Sequence, residues 1–321
     1  MSVNPWQNAE SSLLKGKDLL SLYDLSNLEI EEILNKCETL KTMHKLGADY
    51  QPLKGKTLGM IFEKSSTRTR VSFEVAMWQL GGHALFLSNR DIQIGRGETI
   101  PDTARVLSRY LDGIMIRAYS HDDVKLLAKY ADIPVINGLT DYTHPCQVLA
   151  DLFTIQEKKK KLSGLKLAFI GDGKNNMANS LIFGCSKVGM DIAVASPEEF
   201  LPDKEVVDKA KADAVMNGSK IILTDDVFEA AKDADVLYTD VWTSMGQEEE
   251  TEYRKKVFAG YQINQELLSV ADENVIVMHC LPAHRGEEIT EEVIEGEHSV
   301  VFDEAENRLH VQKAILSLVM G

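Results

Sequence analysis

The sequence has little of what a secreted, membrane-spanning or nucleic-acid-binding protein needs. Its four cysteines, Cys37, Cys146, Cys185 and Cys280, are scattered and form no Cys-x-x-Cys pair, so neither a disulfide framework nor a structural zinc site is expected. No apolar run approaches the roughly 20 residues that cross a bilayer. Residues 1–15 lack the apolar stretch of a signal peptide. Cations are in deficit, with 35 Lys and Arg against 50 Asp and Glu, a formal charge of −15. A polyanionic partner such as nucleic acid is disfavoured, because it demands clustered cations facing phosphates. Solenoid repeats and low-complexity segments are also missing. The expectation is a cytoplasmic protein with reduced thiols and no metal.

What is present is ordinary globular material. With 321 residues, 44% of them hydrophobic and 26% charged, the chain can bury a large core and divide into two domains. Residues 13–46 read as two short helices, with Ser26 capping the second. Short apolar runs at 57–62, 84–87, 113–117 and 133–137 read as strands, separated by helical patterns such as 68–80. After a helix that ends in four lysines at 158–161, a second series of strands follows at 165–170, 192–195, 221–223, 236–239 and 275–278. A final helix is predicted at 304–319. Alternating strands and helices imply parallel sheets with helices on both faces, an α/β fold. Ligands of such sheets bind beyond the carboxyl ends of strands. The unusual polar residues fall at five of these ends: 65–70, Arg117, 144–147, Asp240 and 279–280.

The densest of them is Phe62-Glu63-Lys64-Ser65-Ser66-Thr67-Arg68-Thr69-Arg70. Hydroxyls suit a helix start, where they satisfy unpaired N–H groups. Arginines suit it poorly, because that end of the helix dipole is positive. Two cations there make sense when an anion sits between them; a capped helix with two solvated arginines is the alternative. The turn Gly171-Asp172-Gly173 invites a nucleotide-binding reading, but Asn176 stands where the fingerprint needs its third glycine. Asp240, taken alone, reads as a capping residue before a flexible loop. His144 reads as a catalyst or as a structural hydrogen-bonder. Cys280 beside His279 admits a thiol nucleophile, for which no acyl-transfer surroundings are evident.

Ser66-Thr67-Arg68-Thr69-Arg70, His144-Pro145-Cys146-Gln147, Asp240 with Ser244-Met245-Gly246, His279-Cys280-Leu281-Pro282 and 302–308 together resemble the aspartate/ornithine carbamoyltransferase family. The resemblance runs from about residue 13 to the C-terminus, and the Phe62-Glu63-Lys64 lead-in looks like the ornithine branch. It implies two domains, 1–149 with the helix 304–321 packed back on it and 150–303, which bind carbamoyl phosphate and ornithine respectively. Ser66, Thr67, Arg68, Thr69, Gln93, Arg117, His144, Gln147, Cys280, Leu281 and Arg308 would hold carbamoyl phosphate. Of these, Arg68, Arg117, His144 and Cys280 would serve catalysis, and Gln93 would reach the phosphate of an adjacent subunit. Asn176, Asp240, Ser244 and Met245 would hold ornithine, and the Leu281-Pro282 bond would be cis. The implied reaction moves a carbamoyl group to an amine without cofactor or metal, in a homotrimer or a multiple of trimers. Aspartate or putrescine as acceptor, and a non-catalytic binding protein, are the alternatives.

Overall fold

The computed structural model describes residues 12–90, 92–93, 97–244, 246 and 248–321. The chain divides into two compact units. The first comprises the described residues up to Leu20 together with Leu28–Leu139 and Leu309–Gly321; the second comprises Ser21–Asn27 and Thr140–Arg308.

In the first unit α1 (Asn27–Lys45) precedes β1 (Thr57–Phe62), α2 (Thr67–Gln79), β2 (His83–Ser88), α3 (Ile100–Leu107), β3 (Gly113–Arg117), α4 (His121–Tyr130) and β4 (Val135–Leu139). The four strands are parallel in the order β2-β1-β3-β4. The central strands β1 and β3 are apolar almost throughout because both of their faces are covered. On one face Ile61, Ile114 and Ile116 pack with Ala104 of α3 and with Val124 and Leu127 of α4. The end of the chain also belongs to this unit. Gly16 donates its N–H to Val319 O at 2.9 Å, and a Cβ on Gly113 would stand 2.9 Å from Met320 Sδ. A side chain at 113 would require Met320 to shift.

The second unit contains α5 (Pro145–Lys159), β5 (Lys166–Ile170), α6 (Asn176–Val188), β6 (Asp191–Ala195), α7 (Lys204–Asn217), β7 (Ile221–Thr224), α8 (Val227–Ala231) and β8 (Val236–Thr239). After them come α9 (Thr251–Val257), α10 (Gln265–Leu268), β9 (Ile276–His279), α11 (Glu291–Ile294) and the start of α12 (Val301–Met320). Its five parallel strands run β7-β6-β5-β8-β9. Ala168 and Ala193 on the sheet meet Ala230 and Ala231 of α8, so small side chains let the helix lie close; Leu237, Val277, Val293 and Val301 complete that core.

Most expected elements are found, with three differences. Residues 13–25 contain one 3₁₀ turn, Leu22–Asp24, capped by Ser21, and no α-helix. Leu19 instead pairs with the β4 edge, donating to Val135 O and accepting from Asn137 N–H. The strand expected at 133–137 lies two residues later. Pro134 has no N–H for the ladder, though its carbonyl still accepts from Ile114. The last helix starts at Val301 rather than at 304, because Val301 enters the second unit's core.

Phe169 on β5 is fully buried and stacks on Tyr238 with ring centroids 6.1 Å apart. Phe169→Ala should destabilise the second unit by about 3–5 kcal/mol through a cavity and lost ring contact. Urea unfolding of variant and wild type checks this, and a shift below about 1 kcal/mol would mean that the site repacks.

Candidate active site

In the first unit, β1 delivers the chain into α2 through Glu63-Lys64-Ser65. Ser66 is the N-cap in extended conformation, and its Oγ accepts from Thr69 N–H at 3.3 Å. Thr67 and Arg68 open α2, and the first-turn N–H groups of a helix point along its axis in a way that suits an anion. The two arginines separate in role. Arg70 pairs through Nε with Glu74 at 2.9 Å and lies over the Phe86 ring at 3.8 Å, so it braces α2 against β2. Arg68 is exposed at the mouth of the turn.

Arg117 closes β3, 8% exposed. Its carbonyl accepts from Glu63 N–H at 2.9 Å, and Glu63 Oε2 accepts from Tyr119 N–H at 3.1 Å. The turns after β1 and β3 are thereby fixed to one another. Lys64 is buried with its ammonium 4.3 Å from the Tyr119 ring centroid, a cation–π contact. Gln93 is exposed.

In the second unit, His144 is the residue before α5 and is 5% exposed; its N–H donates to Ser180 Oγ at 2.8 Å. Pro145 sits in the first turn, where its missing N–H costs nothing. Gln147 is buried and donates through Nε2 to Asp151 Oδ1 at 2.8 Å and to Glu304 Oε1 at 3.0 Å. Burial pushes the Cys146 thiol up to about 12, which makes it inert. Arg308 lies nearly buried on α12, and its positive charge acts on Asp151.

Asp240 ends β8 and is 8% exposed. Its Oδ1 accepts from Val241 N–H at 2.8 Å and from the Cys280 thiol at 3.1 Å, and its Oδ2 accepts from Asn175 Nδ2 at 3.3 Å. Burial raises its pKa above the ordinary 3.8. The Cys280 thiol is held well above its usual range, first by burial and then by Asp240. It is therefore a hydrogen-bond donor to Asp240, and a thiolate nucleophile is disfavoured.

His279 is fully buried. Its Nδ1 accepts from Leu281 N–H at 2.9 Å, so its Nε2 carries the proton and donates to Glu288 Oε1 at 3.0 Å. Asp240, His279 and Cys280 lie close enough to hold a metal ion, but both imidazole nitrogens and the thiol are already committed to other bonds. The Leu281-Pro282 bond is cis. Ser244 is partly exposed, and Met245 lies outside the described residues.

At the turn after β5 the two adjacent asparagines take different partners. The asparagine that bonds Asp240 is Asn175, the α6 N-cap, whereas Asn176 donates to Thr140 O at 2.8 Å. The Gly171-Asp172-Gly173 turn has no room for a pyrophosphate, since a Cβ on Gly173 would meet Pro202 Cδ at 2.7 Å and Phe200 O at 2.8 Å. Asp172 is instead ion-paired with Arg254 at 2.7 Å, and Arg254 also donates to Trp242 O at 3.0 Å. This nearly buried pair tethers the chain that follows Asp240.

Asp151, Glu304 and Tyr238 join the site without having been expected there. Asp151 carries a faint signal, as an acid four residues after Gln147 inside the apolar run 146–155. Glu304 and Tyr238 carry none, because nothing in their local sequence sets them apart.

The site residues sit on a frame with known relatives. Residues 17–157 match the carbamoyl-P binding domain of aspartate/ornithine carbamoyltransferases, and residues 163–319 match the Asp/Orn binding domain. The chain belongs to the aspartate/ornithine carbamoyltransferase family. It is 59% identical to the ornithine carbamoyltransferase of Oceanobacillus iheyensis over 98% of this chain and 97% of that one. It is 61% identical to that of Anoxybacillus flavithermus over 94% and 96%. The solved structure of ornithine carbamoyltransferase from Pyrococcus furiosus superposes with a TM-score of 0.93 at 56% identity, covering 96% of this chain and 98% of that one.

The raised pKa of Asp240 has a thermodynamic signature. The unfolded carboxyl ionises first as pH rises past 3.8, while the folded one keeps its proton, so this group's stabilising share is complete below 3.8 and is lost as pH climbs through the folded value. Asp240→Asn cannot ionise and should therefore gain stability relative to wild type as pH rises from 3.8 through the raised folded value. Melting temperatures of both proteins across this range check it; a constant difference would mean that Asp240 is not destabilised by burial.

Proposed function

We propose that this protein transfers the carbamoyl group of carbamoyl phosphate to the δ-amine of L-ornithine, giving L-citrulline and phosphate. The observation that carries the choice of acceptor is Asp240, a nearly buried carboxylate at a strand end, in a chain of this family. An α-amino acid brings an ammonium, and that cation offsets the burial that now disfavours Asp240's charge. Aspartate as acceptor would bring a second carboxylate and call for a cation at this position. Putrescine would bring no α-carboxylate.

Carbamoyl phosphate is a dianion with a sluggish carbonyl, so catalysis needs donors aimed at two places. Ser66, Thr67, Arg68 and Thr69 bind the phosphate in this reading, joined by Arg308. Arg68, Thr69, Arg117 and His144 polarise the carbonyl and stabilise the oxyanion of the tetrahedral intermediate, the term that usually dominates such reactions. Gln147 accepts from the carbamoyl NH₂. His144 and Gln147 pack in the second unit, yet by role they join residues 1–149 and 304–321 as the carbamoyl-phosphate-binding part. Asp240 holds the α-ammonium, with Asn175 and Cys280 orienting its two oxygens. Asn176, Ser244 and Met245 complete the ornithine contacts, and Cys280 and Leu281 flank the attacking amine. That amine has an intrinsic pKa of about 10.4 and must shed a proton, for which the departing phosphate is the acceptor at hand. Because the nucleophile belongs to the substrate, the chemistry requires neither metal nor organic cofactor.

We also propose a homotrimer, or a multiple of trimers, working in the cytoplasm. Supporting the assembly, β2 is an edge strand with Leu85 and Phe86 exposed, and Val71 on α2 is half exposed. Gln93, in the loop after that strand, would then serve a neighbouring subunit's phosphate. Among the described residues no helix is long and apolar enough to cross a membrane.

The deciding assay supplies carbamoyl phosphate with ornithine, putrescine or aspartate in parallel and follows ureido product and phosphate together. Citrulline with equal phosphate is expected; dominant product from another amine would overturn the role of Asp240. Arg68→Ala should lower kcat by about 10²-fold or more, since it removes an oxyanion donor. A change confined to KM would reduce Arg68 to a docking residue.

A further inference from the structure

Two acids in the second unit are buried where an apolar core would be expected. Asp151 on α5 and Glu304 on α12 are both 0% exposed. The Tyr238 hydroxyl on β8 approaches both, at 3.1 Å to Asp151 Oδ2 and 3.2 Å to Glu304 Oε1. The backbone N–H of His279 donates to Glu304 Oε2 at 3.0 Å. Burial pushes both groups up, and Asp151 pushes Glu304 further, so the two carboxyls disfavour ionising together. Arg308 supplies the opposing positive charge. The other titratable groups facing the pair, Tyr238, Cys185 and Cys280, are themselves pushed up by burial and stay neutral.

This arrangement dictates which way the Gln147 amide lies. Nε2 faces Asp151 Oδ1 and Glu304 Oε1, and only the NH₂ end of an amide can satisfy two acceptor oxygens. The reversed amide would set oxygen against oxygen among fully buried side chains. Oε1 is therefore at the far end from the acids, buried and without a hydrogen-bond partner among the described residues. An acceptor left in that state has a large appetite for a donor.

We propose that Asp151 and Glu304 are positioning residues that lock the Gln147 amide with its carbonyl oxygen offered to the carbamoyl NH₂, so that the site selects an NH₂ over an isosteric CH₃. This rests on the reading of Gln147 given above. A methyl group fits the same space but leaves Oε1 unsatisfied, and sites built to hydrogen-bond a group discriminate strongly against its apolar replacement.

The test uses two non-reacting analogues, phosphonoacetamide and 2-oxopropylphosphonate, which differ only in NH₂ against CH₃, with inorganic phosphate as the reference ligand. Wild type should bind the amide at least about 10-fold more tightly than the ketone. Asp151→Asn and Glu304→Gln are isosteric exchanges that turn an acceptor oxygen into a donor nitrogen, so either orientation of Gln147 becomes acceptable. Each should reduce the amide-to-ketone preference by about 10-fold while phosphate binds as in wild type. Variants that bind phosphate normally and keep the full preference would overturn the proposal. So would loss of phosphate binding in both, which would make the pair a support of the fold rather than of the amide. A wild type without any preference would instead remove Gln147 as the NH₂ ligand, and the product assay would decide separately whether carbamoyl transfer stands.

Discussion

Glu304 is the side chain on which the second unit's polar architecture turns. From one position on α12 it accepts from the end of β9 and from Gln147 on α5, and it stands within hydrogen-bond distance of the Tyr238 hydroxyl on β8, which it shares with Asp151. A carboxyl is the side chain that can take donors from several directions in so little volume, and burying it is tolerable only because such donors are supplied. His279 shows the same logic one step outward. Its backbone serves Glu304, while its ring is fixed between Leu281 N–H and Glu288. The strand end that carries Cys280 is thus held from both sides, and Cys280 in turn holds Asp240. Polar satisfaction, rather than apolar packing alone, sets where the candidate ligand groups stand.

The first unit reaches a comparable result with fewer buried charges. Ser66 caps α2, Glu63 ties the turn after β1 to the turn after β3, and Arg70 is absorbed by Glu74 and Phe86. The sequence shows two arginines at a helix start and suggests an anion between them. The fold assigns them different work, and the electrostatic argument for a ligand narrows to Arg68 with the neighbouring N–H groups. A net charge of −15 sharpens this, because an exposed guanidinium in a negative chain draws an anion only through local geometry.

Much of this architecture is legible in the amino-acid sequence alone. Strands such as 236–239 and the caps at Ser66 and Thr99 are written in local patterns that depend on a few adjacent residues. Arg68, Arg117, His144, Gln147 and Asp240 stand out because parallel sheets display their chemistry at strand ends. What the sequence hides depends on phase or on distance along the chain. Adjacent Asn175 and Asn176 are indistinguishable until the helix phase turns one towards Asp240 and the other towards Thr140. Tyr238 lies 87 residues from Asp151 and 66 from Glu304, so no short window contains the cluster. The helix expected from residue 13 is absent because Leu19 finds a strand edge to pair with, a tertiary choice that local propensity does not encode.

The edge position of β2 has a consequence for the life of a newly made chain. One side of that strand is paired with β1, and its sequence, His-Ala-Leu-Phe-Leu-Ser, has high β-propensity and no proline. Until something covers it, such an edge is a template for any other extended chain, including an unfinished copy of itself. In the proposed trimer, assembly and aggregation would compete for the same few residues, and the outcome would depend on how quickly a folded neighbour arrives. Arg70, lying over Phe86, puts a charge beside the most aromatic point of that edge, the kind of gatekeeper that slows strand addition.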